Sequence, residues 1–376
     1  MKANAFLLRT LIYGLIVCSL VVGVNYVVDP YGITGAPRTP GFNEHKVDIN
    51  EHTRVLKKYQ PLLASHNALV VGNSRVELGI SPAHACFRDD GMAIYNLGMP
   101  GAEVATQLAY ALNLVYRQPV ETVFLSLDFT DFISISQQPH PHGFPPPERS
   151  QSGFSLSSSG EHRAAYYRNV LRDYFKSLFS LDALVASIRT IALQSNVSAD
   201  RDEAGFNPAR DFEEAVRIEG PRALFDQKMA SLAVKYSRPW YVRDSQGQLS
   251  AQFSELGRFL DITVARGIKV YLFTNPFHES FWDLMRSKGH MSAYNDWMNA
   301  IETVVRKYPE GFVTLWDFSR DSAYIRETVP AAGVRSGPLR WFWEPAHYRR
   351  ELGDLMVNAM LSESCGTEIA FGRQVF

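Results

Sequence analysis

Hydropathy along the chain changes in blocks, and the first block is the most apolar. Residues 11–28 read LIYGLIVCSLVVGVNYVV, with no charge anywhere from Thr10 to Val28. At ~1.5 Å of rise per residue, such a run is long enough to cross a bilayer as a helix. Lys2 and Arg9 precede it and Asp29 follows. The positive-inside bias therefore predicts a cytoplasmic N-terminus and an extracytoplasmic remainder. The run exceeds the apolar part of a secretory signal and no small-x-small cleavage site follows, so an uncleaved anchor is expected. Cys18 lacks the small residues that precede a lipidated cysteine.

Past a Pro/Gly-rich stretch, DPYGITGAPRTPGF, short apolar runs alternate with helical periodicity. The runs ALVVG (68–72), AIYN (93–96), TVFLSLD (122–128), KVYLFTN (269–275) and GFVTLWDF (311–318) have the length and composition of buried strands. Helical patterns occupy about 51–64, the segment AEVATQLAYALNLVYR, 253–266 and 348–361. This alternation predicts an α/β fold: a three-layer α/β/α sandwich around a parallel, flavodoxin-like sheet of about five strands. Between residues 134 and 162 the chain is rich in Pro, Ser, His and Gly, which reads as a long exposed loop. Residues 163–195 look helical, 197–212 polar, and 236–250 hold an irregular turn or short hairpin. The division expected is a cytoplasmic tip and anchor (1–30), a juxtamembrane segment and first helix (31–66), two halves of one α/β domain (67–133 and 253–376), and a mostly helical insertion (134–252).

Composition narrows the classes. Thirty-eight basic against 39 acidic side chains leave a formal charge of −1, which gives no footprint for nucleic acid. The three cysteines, at 18, 86 and 365, lack metal-ligand spacing, as do the histidines, so neither a metal nor another cofactor is expected. Cys86 and Cys365 are expected as unpaired buried thiols, with pairing the alternative in an oxidising compartment.

In open α/β sheets, chemistry gathers at the carboxyl ends of the strands. Those ends read Gly72-Asn73-Ser74-Arg75, Asn96-Leu97-Gly98, Asp128-Phe129-Thr130-Asp131 and Asn275-Pro276-Phe277-His278, and Glu344-Pro345-Ala346-His347 precedes the last helix. Singly, each has an ordinary structural reading: a turn, a cap, a surface histidine. Together they put a serine after the first strand, a glycine after the second and a carboxylate-x-x-His before the final helix.

On the stretches VVGNSRVELGISP, YNLGMPGAEV, VFLSLDFTDF and FWEPAHYRRELGDLM, the chain resembles the SGNH (GDSL-type) hydrolase superfamily. The likeness covers roughly residues 68–133 and 268–361, and is strongest to a membrane-anchored, envelope-glycan branch that includes alginate O-acetylation proteins and the D-alanine transfer protein of teichoic acids. The resemblance implies Ser74 as nucleophile, His347 as its general base and Glu344, in place of the usual Asp, as the group that orients the ring. A serine hydroxyl needs such a base to become a nucleophile. The same resemblance implies oxyanion donors from the backbone N–H groups of Ser74 and Gly98. The usual third donor, an Asn after the third strand, is missing; Asn73, Asn96 and Thr130 are the candidates to replace it. Arg75 either holds an anionic group of the substrate or pairs with a neighbouring carboxylate, and Asp128, Asp131 and His278 are expected near the substrate. Trp240, Tyr241, Trp341 and Trp343 are read either as sugar-stacking platforms or as core.

The expected function is that of an extracytoplasmic serine esterase or O-acyltransferase, acting on an acyl (acetyl) ester of a cell-envelope or exported polysaccharide from the inner membrane's periplasmic side. The rival is a non-catalytic glycan-binding or assembly subunit that keeps the fold. Expected partners are the glycan, the membrane through the N-terminal helix, and an envelope biosynthesis complex.

Overall fold

Residues 2–138, 164–319 and 322–376 are described by the structure, a computed structural model. Each apolar run expected as a strand forms one: β1 (Ala68–Gly72), β2 (Ile94–Gly98), β3 (Thr122–Leu127), β4 (Lys269–Thr274) and β5 (Val313–Asp317). They are mutually parallel, in the order β2-β1-β3-β4-β5. Every position of β1, β2 and β3 is buried, which is why these strands read as continuous apolar runs rather than alternating ones. The chain passes from β1 out to β2 and then returns to place β3 on β1's other side. That reversal opens a crevice beyond the carboxyl ends of β1 and β3.

Fourteen helices are found among the described residues. The first block holds α1 (Lys2–Val28), α2 (Ile49–Tyr59), α3 (Ser74–Gly79), α4 (Ala85–Asp89) and α5 (Val104–Val115). The insertion contributes α6 (Ala164–Phe179), α7 (Leu181–Ala192), α8 (Arg210–Glu219) and α9 (Pro221–Lys235). The last block holds α10 (Ala251–Ala265), α11 (Glu279–Ser287), α12 (Met291–Val305), α13 (Arg350–Met360) and α14 (Ser362–Cys365). Helix α5 packs on β1 and β2, α10 on β4, and α12 on β5. Helix α1 is long and apolar enough to cross a membrane.

Two expectations need adjusting and a third is left open. The main sheet has six strands, not five. After a two-stranded antiparallel hairpin, β6 (Phe342–Glu344) and β7 (His347–Tyr348), a two-residue strand β8 (Arg373–Gln374) pairs antiparallel with Trp316–Asp317. So short a strand has no periodicity to read. Cys86 and Cys365 are joined in a disulfide across 279 residues, because α4 and α14 pack side by side. The exposed loop expected at 134–162 falls mostly outside the described residues; its start, Ser134, bridges to Tyr241.

The insertion is tied into the α/β core rather than appended to it. The Asn96 N–H of β2 donates to Ala204 O (2.8 Å) and the Asn207 N–H to Glu77 O (3.1 Å). Glu77, on α3, is fully buried and takes Arg201 Nε and Nη2 on its two oxygens at 2.9 and 3.1 Å. Lys57 Nζ lies 3.5 Å from the same carboxylate and donates to Asn96 O at 2.8 Å. Burial lowers the Lys57 pKa to about 8 against the opposing pull of Glu77. This buried ion cluster fixes the underside of α3, the helix that Ser74 opens.

Candidate active site

Strand β1 ends at Gly72, and Asn73 caps the helix that follows by accepting the Arg75 N–H at 3.1 Å. A strand-to-helix turn this tight leaves no room beside Gly72: a Cβ there would fall onto the Val76 side chain and within 3.0 Å of Ser126 Cβ. The turn sets Ser74 at the first position of α3, facing the crevice. From the far end of the sequence, the β6–β7 hairpin brings Glu344 and His347 to the same place. Two contacts hold the hairpin there. Arg75 Nε donates to Ala346 O at 2.7 Å, and α13 meets α3 where Gly353 backs onto the Gly79 carbonyl, a spot that admits no Cβ.

Ser74 Oγ lies 2.8 Å from His347 Nε2, and His347 Nδ1 is hydrogen-bonded to Glu344 Oε1. With Nδ1 donating to the carboxylate, Nε2 is left as the acceptor that can receive the serine proton. The second oxygen of Glu344 accepts the Ala346 N–H at 3.1 Å, and Lys228 Nζ of α9 stands 3.6 Å from Oε1. Burial lowers the pKa of His347; Glu344 opposes this, and the charges of Lys228 and Arg75 reinforce it, leaving the ring below its ordinary value. For Glu344, burial acts upward, but His347, Lys228 and the Ala346 N–H bring its carboxyl below the usual range. The pair therefore rests as neutral imidazole beside ionised carboxylate, the state a general base requires.

Asp128, at the end of β3, is locked into the floor. It accepts Asn73 Nδ2 (2.8 Å), Arg75 Nη1, and the Thr130 N–H and Oγ1 (3.2 and 3.0 Å). Burial alone would raise its pKa; the Arg75 charge and the Asn73 and Thr130 hydrogen bonds outweigh that and hold it low. Arg75 also lies over the Phe277 ring, 4.7 Å from its centroid. Of the two roles expected for Arg75, the geometry shows the carboxylate pair. Asp131 behaves oppositely. Burial first and the Asp128 charge second push its carboxyl well upward, favouring the protonated form, and one oxygen accepts Gln107 Nε2 at 3.2 Å.

The nominated oxyanion donors fare unevenly. The Gly98 N–H is inside β2 and donates to Asn96 Oδ1 at 2.8 Å, so its nomination is corrected. Asn96 is fully buried, donates to Val76 O and Ile80 O (2.9 and 2.7 Å) and braces the turn away from the crevice; Asn73 lines the crevice but spends its amide on Asp128. Thr130 remains on the crevice wall, its hydroxyl donated to Asp128. His278 is likewise corrected from substrate contact to scaffold. It caps α11, bonds Ser280 Oγ and Glu327 O (2.9 and 2.8 Å), and packs in T-shaped contacts with Phe225 and Phe342. Trp240 and Trp343 are buried, with Trp240 stacked on His290 at 4.0 Å. Tyr241 and Trp341 are half-buried.

A cleft of about 840 Å³ opens over Ser74 and His347. Several of its lining groups were not singled out in the sequence. Gly101 lines it with φ +64°, a left-handed conformation that glycine adopts without strain, and its N–H, like that of Ser74, donates to no group among the described hydrogen bonds. Its place in the LGMPG turn was a usable hint, since the second glycine of such a turn is the one free of the strand ladder. Lys228, Lys235 and Arg238, from α9 and the loop after it, form the insertion's side of the cleft. Among the described residues no group of three or more His, Cys, Asp or Glu side chains is placed to hold a metal ion. Compared with known protein families and with curated proteins, the chain matches none of the family models and none of the curated sequences.

Proposed function

We propose that this chain is a membrane-anchored, extracytoplasmic serine acyl-transfer enzyme of the SGNH type, with a three-layer α/β/α flavodoxin-like core, acting on an acetyl or similar ester of an envelope or exported polysaccharide. The observation that carries the reading is the relay from Ser74 Oγ through His347 to Glu344, opening on a cleft roomy enough for a sugar residue and its ester. In the reaction, Ser74 Oγ attacks the ester carbonyl while His347 Nε2 takes its proton. The Ser74 and Gly101 N–H groups are free to meet the resulting oxyanion, and such a donor is worth about 10²–10³ in rate. Collapse returns the proton from His347 to the departing alcohol and leaves an acyl-serine. Water or a sugar hydroxyl, deprotonated by the same imidazole, then takes the acyl group.

The Cys86–Cys365 disulfide supports the extracytoplasmic placement, because such bonds persist in oxidising compartments. Together with α1, it supports an inner-membrane anchor with the cleft on the periplasmic side, where an envelope biosynthesis complex is the expected setting. One observation keeps the rival in view: Asn73, Asn96 and Gly98 are all committed to internal hydrogen bonds, as they would be in a binding subunit that kept the fold.

An activated acetyl ester, offered to the full-length protein in detergent with and without an acceptor oligosaccharide, decides between them. Turnover lost in Ser74→Ala and His347→Ala supports the enzyme, and acetylated oligosaccharide identifies it as a transferase. Equal background from wild type and both variants supports the binding subunit.

A further inference from the structure

Two helices of the insertion have an apolar face that nothing among the described residues covers. On α6, Tyr167, Leu171, Phe175 and Phe179 recur every four residues and are 59, 71, 62 and 49 % exposed. One position further round the same helix, Arg168, Arg172 and Lys176 form an exposed basic stripe beside them. On α7, Leu181, Val185 and Ile188 make a second exposed apolar row at helical spacing. Soluble surfaces rarely gather so many large apolar side chains in one patch. An apolar stripe flanked by Lys and Arg is the composition of helices that lie in a membrane interface.

Where this hairpin sits identifies its occupant. Both helices pack against α1. The joint is Asn25, fully buried in the last turns of α1: its Nδ2 donates to Leu178 O at the end of α6, and its Oδ1 accepts Ser187 Oγ of α7, both at 2.8 Å. Small buried residues on α7, Ala183, Ala186 and Ser187, leave room for that approach. The carboxyl end of α1 is itself fixed to the domain, with Lys46 Nζ on Val28 O at 2.8 Å and Asn43 Nδ2 on Val27 O at 3.2 Å. The turn between α6 and α7 therefore lies beside the point where α1 leaves its apolar stretch, and Tyr26 and Val27 in that last turn of α1 are themselves exposed.

We infer that the α6–α7 hairpin is a membrane-interface foot: its apolar face enters the outer headgroup and upper acyl region around the exit of α1, and its basic stripe meets anionic lipid headgroups. The inference rests on the anchor reading of α1. It gives the insertion a role, since α9 of the same insertion lines the cleft, and a foot on the bilayer sets the height and tilt of that cleft above the membrane.

The test uses the full-length protein in vesicles of phosphatidylcholine with phosphatidylglycerol, carrying one environment-sensitive fluorophore at a time. Native Cys18 is one site; Leu181→Cys and Gln246→Cys, each in a Cys18→Ser background, are the others. Quencher lipids carry a nitroxide either shallow or deep in the acyl chain. The expected result is loss of Cys18 fluorescence to the deep quencher and of Leu181→Cys fluorescence to the shallow one, about 5–10 Å into the boundary. Gln246→Cys, exposed on the Asp244–Gln248 turn outside the hairpin, keeps its fluorescence. Quenching at Cys18 with none at Leu181→Cys overturns the foot and leaves the anchor standing. No quenching at Cys18 overturns the anchor reading and the foot with it, and equal quenching at Leu181→Cys and Gln246→Cys overturns the foot as nonspecific adsorption.

Discussion

Ser74 Oγ and His347 Nε2 are 273 residues apart in the chain and 2.8 Å apart in space. Side-chain reach alone does not hold that distance. The two backbones are clamped on either side of it, by Arg75 Nε on Ala346 O and by the Gly353–Gly79 contact between α13 and α3. Arg75 is in turn fixed by Asp128, so one residue joins the turn that holds Ser74, the hairpin that holds His347 and the end of β3.

The relay makes opposite demands on Glu344 and Lys228. Glu344 raises the pKa of His347, and Lys228 lowers it. Glu344→Gln is expected to lower kcat by about 10³–10⁴, as loss of the orienting carboxylate does elsewhere, and to move the acid limb of kcat/KM to lower pH. Lys228→Met removes a repulsive charge, so its acid limb moves to higher pH with little change on the plateau. Parallel pH–rate profiles of the three proteins check both signs.

Asp131 carries a stability cost that depends on pH. Its folded-state pKa is raised, so the folded protein binds more protons than the unfolded one above pH about 4, and stability falls as pH rises through the folded value. Asp131→Asn cannot ionise and escapes this loss. Thermal unfolding should find the variant more stable than wild type at neutral pH, with the difference vanishing below pH about 4.

Much of this was legible in the sequence, for identifiable reasons. The parallel strands are buried at nearly every position, so their apolar runs stand out, and the residues at their carboxyl ends fall at the crevice by topology. Ser74, His347 and Glu344 are legible because each sits at a junction that residue type marks. Hydrogen-bond allocation is not written that way. Gly98 looks like a free turn glycine until β2 is seen to extend through it, and His278 looks exposed until α11 begins there. Lys228 left no trace because α9 faces the cleft only through tertiary packing, and the pairing of Cys86 with Cys365 depends on two short helices meeting from opposite ends of the chain.

Glu77 and Arg201 join the insertion to α3 through a buried pair with both side chains nearly inaccessible. Arg201→Ala leaves the carboxylate buried with Lys57 as its remaining cationic partner. A loss of about 3–5 kcal/mol is expected in denaturant unfolding, the range for a broken buried pair.

The disulfide closes a loop across most of the chain. Cys86→Ser with Cys365→Ser is expected to cost about 2–5 kcal/mol, and a reductant should lower the melting temperature of wild type but not of the double variant.

The activated serine is tested most directly by intact-mass spectrometry after brief exposure of the full-length protein to a fluorophosphonate. One phosphonyl adduct is predicted, mapping to Ser74, absent in Ser74→Ala and much slower to form in His347→Ala. No adduct on wild type, or an adduct that forms equally in Ser74→Ala, would contradict the account.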